Sequence, residues 1–145
     1  MGPVKFNVSG LREVETALTR LGPELAEQVG DTAVRAMSKP IIEEAKHRAP
    51  RDTGDYATKG IGYAKDKADS RDGRRAGKVG ATGAGRFIAH LLEFGTSKAA
   101  AKPHFRPALD SRANDAIRAG AEALARGLKN VARRLATGKK VRSIR

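Results

Sequence analysis

The sequence predicts an α+β fold: a small antiparallel β-sheet packed by two or three helices, with a long C-terminal helix and a basic tail. Three observations predict it. Short stretches alternate apolar and polar residues, the period of strands with one wet face. Longer stretches carry apolar residues at three-to-four spacing, the period of helices. The order is strand, helix, helix, strands, short turn, helix, without the strict strand–helix alternation of a parallel sheet.

Val4, Phe6 and Val8 alternate with polar residues and predict a first strand. Ser9 is placed as an N-cap, and Leu11, Val14, Leu18 and Leu21 mark one face of the helix that follows. Gly22-Pro23 combines a helix stop with a helix start. A longer helix is expected from about Pro23 to Ala49, with Leu25, Val29, Ala33, Met37, Ile41 and Ala45 on one face. Gly30 and Pro40 are expected to kink it, and Pro40 to bend or split it.

Ala49-Pro50-Arg51-Asp52-Thr53-Gly54 has the composition of a turn. A strand is expected over roughly residues 55–65, where Ala57, Lys59, Ile61, Tyr63 and Lys65 alternate with small residues. The charged, glycine-containing stretch 66–78 reads as a mobile hairpin loop, and Val79 and Ala81 mark a returning strand at about 77–83. Phe87–Phe94 fits a helical turn or a strand, and the helical turn is favoured. Thr96–Pro103 is a loop. Pro107 suits the first position of the last helix, which runs to about Ala136 with Leu109, Ala113, Ile117, Leu124, Leu128, Val131 and Leu135 on one face. Residues 1–136 are therefore expected to form a single domain and 137–145 a basic tail.

Composition narrows the function. Of the 145 residues, 25 are Ala, and Leu, Ile, Val and Phe together make up about a fifth, so a monomer's core is thin and partner contacts are expected to add burial. There is no Cys, which removes disulfides, thiolate metal sites and Cys nucleophiles. No apolar run approaches the ~18 residues of a membrane span, and Met1–Lys5 lacks a signal-peptide stretch, so a cytoplasm-like compartment is expected.

The net charge of +13 is unevenly spread: 0 over residues 1–50, +4 over 51–86 and +9 over 87–145. Arg126, Lys129, Arg133, Arg134, Lys139, Lys140, Arg142 and Arg145 crowd the last twenty residues, and no acid follows Glu122. A polyanion or an acidic protein surface fits such a run, as does a solvated tail without a fixed partner.

No catalytic constellation emerges. His47, His90 and His104 are far apart and no metal-ligand spacing joins them. Asp52, Asp55 and Glu93 have no spacing that demands a shared site. Gly77–Gly85 is rich in glycine but lacks the Gly-Lys-Ser/Thr ending of a phosphate loop. No enzyme activity, metal or cofactor is expected. Six aromatics and no Trp supply a poor stacking platform for nucleic acid, so the basic groups would touch phosphates without sequence preference.

Two segments carry a resemblance. The first is Ala49-Pro50-Arg51-Asp52-Thr53-Gly54. The second is Ile88-Ala89-His90-Leu91-Leu92-Glu93-Phe94-Gly95-Thr96, followed by Pro103-His104-Phe105-Arg106-Pro107-Ala108-Leu109. In order and spacing these resemble the neck, or head–tail connector, family of long-tailed phages, the gene-product-ten-like tail components. That family's motifs read Ala-Pro-x-Asp-Thr-Gly, Tyr-Ala-x-x-x-Glu-Phe-Gly-Thr and Pro-Phe-x-Arg-Pro-Ala-Leu. Ile88 stands where the family has an aromatic, His104 where it has Phe, and the 66–78 loop is longer and more charged.

The resemblance implies a structural virion protein at the head–tail junction, formed in the host cytoplasm and built into an oligomeric ring. Its partners would be copies of itself and neighbouring head-closure, connector and tail-tube or tail-terminator proteins, with non-specific contact to packaged DNA. Pro50, Asp52, Thr53, Gly54, Glu93, Phe94, Gly95, Thr96, Arg106 and Pro107 are then fixtures of the fold or of its docking edges. Glu93 is expected to pair with Arg106 or Arg51, Phe94 to anchor its turn in the core, and Gly95 to let the chain reverse. Alanine-rich helix faces would let subunits approach closely. The rival reading is a monomeric, non-specific nucleic-acid-binding protein.

Overall fold

The computed structural model describes residues 23–51, 56–70, 74–83 and 85–136. The strand expected at 4–8 and the helix expected at 11–21 lie outside these residues. The described elements run α1 Pro23–Arg48, α2 Tyr56–Lys59, β1 Ile61–Lys65, β2 Gly77–Ala81, α3 Gly85–Phe94 and α4 Phe105–Ala136. The architecture is α+β: long helices α1 and α4 pack along each other, and α1 and α3 lie against a two-stranded antiparallel sheet. Among the described residues no helix is long and apolar enough to cross a membrane.

Helix α1 begins at Pro23, where a missing N–H costs nothing, and ends on Lys46 and Arg48, cations that complement the negative end of the helix dipole. Pro40 does not split it: the helix is continuous from Pro23 to Arg48. Packing against α4 along the helix length offsets the one backbone bond that proline removes. Gly30 makes room for a neighbour. A Cβ there would come within 2.9 Å of the Arg75 side chain, whose guanidinium reaches past it to Glu27.

The strand expected over 55–65 is half right. Tyr56–Lys59 is a helical turn, closed by the Gly60 N–H donating to the Tyr56 carbonyl at 2.9 Å, and the strand starts only at Ile61. The turn tucks the Tyr56 ring under Gly60, where a side chain would collide with it, and delivers its hydroxyl to a partner 48 residues away. Alternation over so few residues could not register that partner. Strands β1 and β2 pair in register Tyr63 to Val79.

The 66–76 connection is braced at both feet. Asp66 accepts from the Ala68 and Asp69 N–H groups and from Lys78 Nζ at 2.6 Å, while Ser70 bonds Ala76. The Lys78 ammonium, with help from the two N–H groups, outweighs burial and holds the Asp66 carboxyl below the usual carboxylate range. Lys65–Asp31 at 2.6 Å and Arg75–Glu27 then clip the hairpin to α1.

The core is built of small residues. Ala45, Ala49, Tyr56, Ile61, Ala89 and Ala108 are buried together, with Ile41, Ile42, Ala81, Ile88, Leu92 and Phe105 packed around them. Along α1 and α4 the contact is Val29 and Ala33 against Ala116, Gly120, Ala123, Gly127 and Val131. A Cβ on Gly127 would sit 2.8 Å from Val29 Cγ1, and one on Gly120 would strike the Met37 side chain, so glycine at both positions makes room for side chains of α1.

The inward face of α4 is rotated from the expected one, leaving Leu109 and Ile117 51% and 45% exposed. Contact with α1 selects a stripe of Ala and Gly with Val131, and Leu109 and Ile117 turn outward. Glu44 adds a polar strap between the helices, bonded to Arg48 at 2.7 Å and to Arg112 of α4 at 3.0 Å.

Candidate functional site

The two halves of the second motif meet where α3 ends and α4 begins. Helix α3 stops because Gly95 takes a left-handed backbone, φ +75°, while its N–H still donates to the Leu91 carbonyl at 2.8 Å. A side chain there would lie 2.8 Å from the Ala101 nitrogen and 2.9 Å from the Ala99 carbonyl oxygen. The chain then reverses. The Thr96 N–H donates to the Ala99 carbonyl at 2.8 Å, and its hydroxyl accepts from the Lys98 and Ala99 N–H groups. The Lys102 N–H returns to the Leu92 carbonyl at 2.7 Å. Gly95 and Thr96 thus fold the loop, as the reversal expected at Gly95 requires.

This loop delivers the first turn of α4 to Glu93. The Glu93 carboxylate accepts from the N–H groups of His104 at 2.9 Å, Phe105 at 3.2 Å and Arg106 at 3.3 Å. These are donors that a helix start leaves without a partner, at the positive end of its dipole. Burial pushes the Glu93 carboxyl up, but the three N–H donors outweigh it and hold the group below the usual carboxylate range. Glu93 therefore ties the two halves of the second motif together through the backbone of His104, Phe105 and Arg106. The expected side-chain pairing with Arg106 or Arg51 is not formed, because the helix start presents a closer array of donors. Helix α4 begins at Phe105, two residues before the expected Pro107, whose missing N–H still falls in the first turn.

Beneath the cap lies a buried polar pair. His104 is fully enclosed, with Nδ1 facing Glu93 Oε2 and the Lys102 carbonyl, each at 3.4 Å. Its Nε2 lies 2.7 Å from the hydroxyl of Tyr56, itself 4% exposed. Both oxygens near Nδ1 are acceptors, which selects the Nδ1–H tautomer, in which Nε2 accepts from the Tyr56 hydroxyl. Burial first, and then the Glu93 charge, push the Tyr56 phenol up to about 12. Sequence reasoning missed this pair. The available signal was His104 itself: an imidazole at a position the resemblance assigns to Phe needs a polar partner.

The other expected positions are spread out. Phe94 is 66% exposed, its ring 4.9 Å from that of His90; it does not anchor the core, because α3 turns Ala89 inward instead. Pro50 ends the α1 segment half-buried; Asp52, Thr53 and Gly54 lie outside the described residues. Arg126, Lys129 and Arg133 stand exposed along α4, Arg126 3.5 Å from Glu122. The Arg134 side chain and Lys139, Lys140, Arg142 and Arg145 lie outside the described part. Among the described residues no group of three or more His, Asp or Glu is placed to hold a metal ion.

Beside the cap an open groove of about 610 Å³ is lined by Glu93, Phe94, Pro103, Arg106, Pro107, Asp110 and Ser111. Most of these residues belong to the second motif, so one segment both builds the α3–α4 junction and shapes a surface next to it. That surface can bind; with His104 enclosed, the buried pair offers no reacting group to a substrate.

A family model described as "Bacteriophage HK97-gp10, putative tail-component" matches residues 12–95. The match includes the Ala49–Gly54 sequence segment, strands β1 and β2, and α3 through Gly95, the glycine that turns the chain back to the cap. No curated protein matches the chain. No solved structure matches it either. With more than half of its length matched, the chain belongs to the HK97-gp10-like family of bacteriophage tail components.

Proposed function

We propose that the chain is a structural subunit of the phage neck, one of several copies forming a ring at the head–tail junction, in a tail-completion or connector role. It works by surface contact, as a non-enzymatic part without cofactor. Its neighbours are copies of itself and the adjoining head-closure, connector and tail-tube or tail-terminator proteins. The observation that carries this is exposed bulk: Ala makes up most of the buried apolar positions, while Phe87, Phe94, Leu109 and Ile117 stand 45–71% exposed. Covering each of these would stabilise an assembly by roughly 1–2 kcal/mol.

Arg126, Lys129 and Arg133 recur at three-to-four spacing and add a cationic stripe along α4. A conduit wall that held every phosphate would hinder sliding DNA, which favours acidic protein faces as the partners of this stripe. The test is a phage deleted for the gene. Unjoined heads and tails, rescued by the supplied protein, together with a multi-subunit mass for the purified chain, are the expected results. Infectious particles that lack the protein, or a chain that stays monomeric and binds duplex DNA with steep salt dependence, would overturn the reading.

A further inference from the structure

We propose that the Arg86–Phe87 corner of one copy docks into the groove beside Phe94 of the next copy, with Arg86 meeting Asp110. The inference rests on the ring reading and adds the residues of its joint. A closed ring needs two different, mutually complementary patches on the same chain. The structure supplies both.

The first is a projecting knob. Phe87 opens α3 71% exposed, and exposed Arg86 stands next to it. The second is the groove at the other end of the same helix, walled by the Phe94 ring and by Pro103 and Pro107. At about 610 Å³ it has room for a phenyl ring and part of an arginine stem. Phe87 and Phe94 are seven residues apart, roughly 10 Å along the helix, so a copy cannot fill its own groove and must offer Phe87 to a neighbour.

Charge is compatible with the same occupant. Glu93 spends its oxygens on the start of α4, so Asp110 is the groove carboxylate left to meet a cation, and with Arg106 on the same wall the two carboxylates still outnumber the one cation. Neither Arg86 nor Asp110 forms an ion pair within the chain among the described residues. Docking an aromatic ring between prolines and an arginine on a free carboxylate matches apolar to apolar and cation to anion in one contact.

The chain has no cysteine, so single-cysteine variants report contacts against a clean background. The wild-type mass is measured first, in solution and in assembled particles. Arg86→Cys chains mixed with Asp110→Cys chains and treated with a short bismaleimide should give a cross-linked heterodimer, and His90→Cys chains alone should give none. Arg86→Asp or Asp110→Arg should each raise the concentration needed for assembly about tenfold, and the double variant Arg86→Asp/Asp110→Arg should restore it. All these positions are exposed, and unchanged circular dichroism would show the fold intact. Efficient cross-linking of His90→Cys with itself would mean a two-fold pairing of α3 helices and would overturn the head-to-tail joint. Wild-type rings indifferent to Arg86→Asp would overturn the joint and leave the ring reading standing. A wild type monomeric in solution and absent from particles would remove the ring reading, and the joint with it.

Discussion

Replacing Glu93 separates the cap from everything else the motif does. In Glu93→Ala all three N–H donors lose their acceptor. The His104 N–H sits beside a fully buried ring and cannot rehydrate, while those of Phe105 and Arg106 are nearer to solvent. One buried charge-assisted bond at roughly 2 kcal/mol and two partly recovered ones at roughly 0.5 kcal/mol each give a loss of about 3 kcal/mol. Glu93→Gln can keep its oxygen at the Oε2 position, bonded to His104 and Phe105, and lose only the charge and the Arg106 bond. Its expected cost is about 1 kcal/mol.

The two variants also differ from wild type in acid. The native carboxyl is held below its unfolded value, so between the two values the unfolded chain binds more protons. Glu93 therefore stabilises fully above the ordinary carboxylate range, and its contribution fades as pH falls through the depressed native value. Glu93→Gln should flatten that part of the profile. Urea unfolding followed by far-ultraviolet circular dichroism, at neutral pH and stepwise into acid, measures both effects. Equal stability of wild type, Glu93→Gln and Glu93→Ala, or an acid profile unchanged in Glu93→Gln, would refute the cap.

Three further outcomes follow from the packing. Gly95→Ala should destabilise by about 1–3 kcal/mol, read in the same unfolding assay, because a side chain at φ +75° is strained and meets the Ala99 and Ala101 backbone. Gly127→Ala should also destabilise, by about 1 kcal/mol or more; in an uncrowded helix this change gains stability, so the sign of the shift tests the Val29 contact. Tyr56→Phe should cost about 1–3 kcal/mol by leaving His104 Nε2 buried without its donor. In wild type the Tyr56 phenol should ionise only near pH 12, seen as late absorbance growth at 295 nm, and its stabilisation should hold below the ordinary tyrosine range and be lost as pH rises through 12.

Local signals in the sequence were reliable where the chain answers to itself. Gly22-Pro23 marked the α1 start, the glycine-bounded stretch around Val79 held β2, and Gly95-Thr96 held a reversal, because capping and turn chemistry act within a few residues. The motif order pointed to the family that residues 12–95 confirm. Periodicity failed where two faces of a helix were both eligible for burial. On α4 the larger residues Leu109 and Ile117 marked one face, yet Ala116, Gly120 and Ala123 mark the face that packs. Counting hydrophobicity favours bulk, while a close helix pair favours its absence.

The candidate site divides in the same way. That Glu93 would take a partner near Arg106 was legible, since few acids lie in this part of the chain. That its partners are backbone N–H groups was decided by where α4 begins, and that start depends on a loop folded by Gly95 and Thr96. Tyr56 and His104 lie 48 residues apart, beyond any periodic signal.

By itself the sequence determined the fold class, the start of α1, the glycine at the reversal and the family, because local dihedral preference and motif spacing are properties of neighbours along the chain. The tertiary structure alone decided which helix faces meet, which polar groups are capped or enclosed, and which phenylalanines are left outside. Those outcomes depend on volume and unpaired hydrogen-bonding groups brought together across distance, and such quantities exist only once the segments share a space.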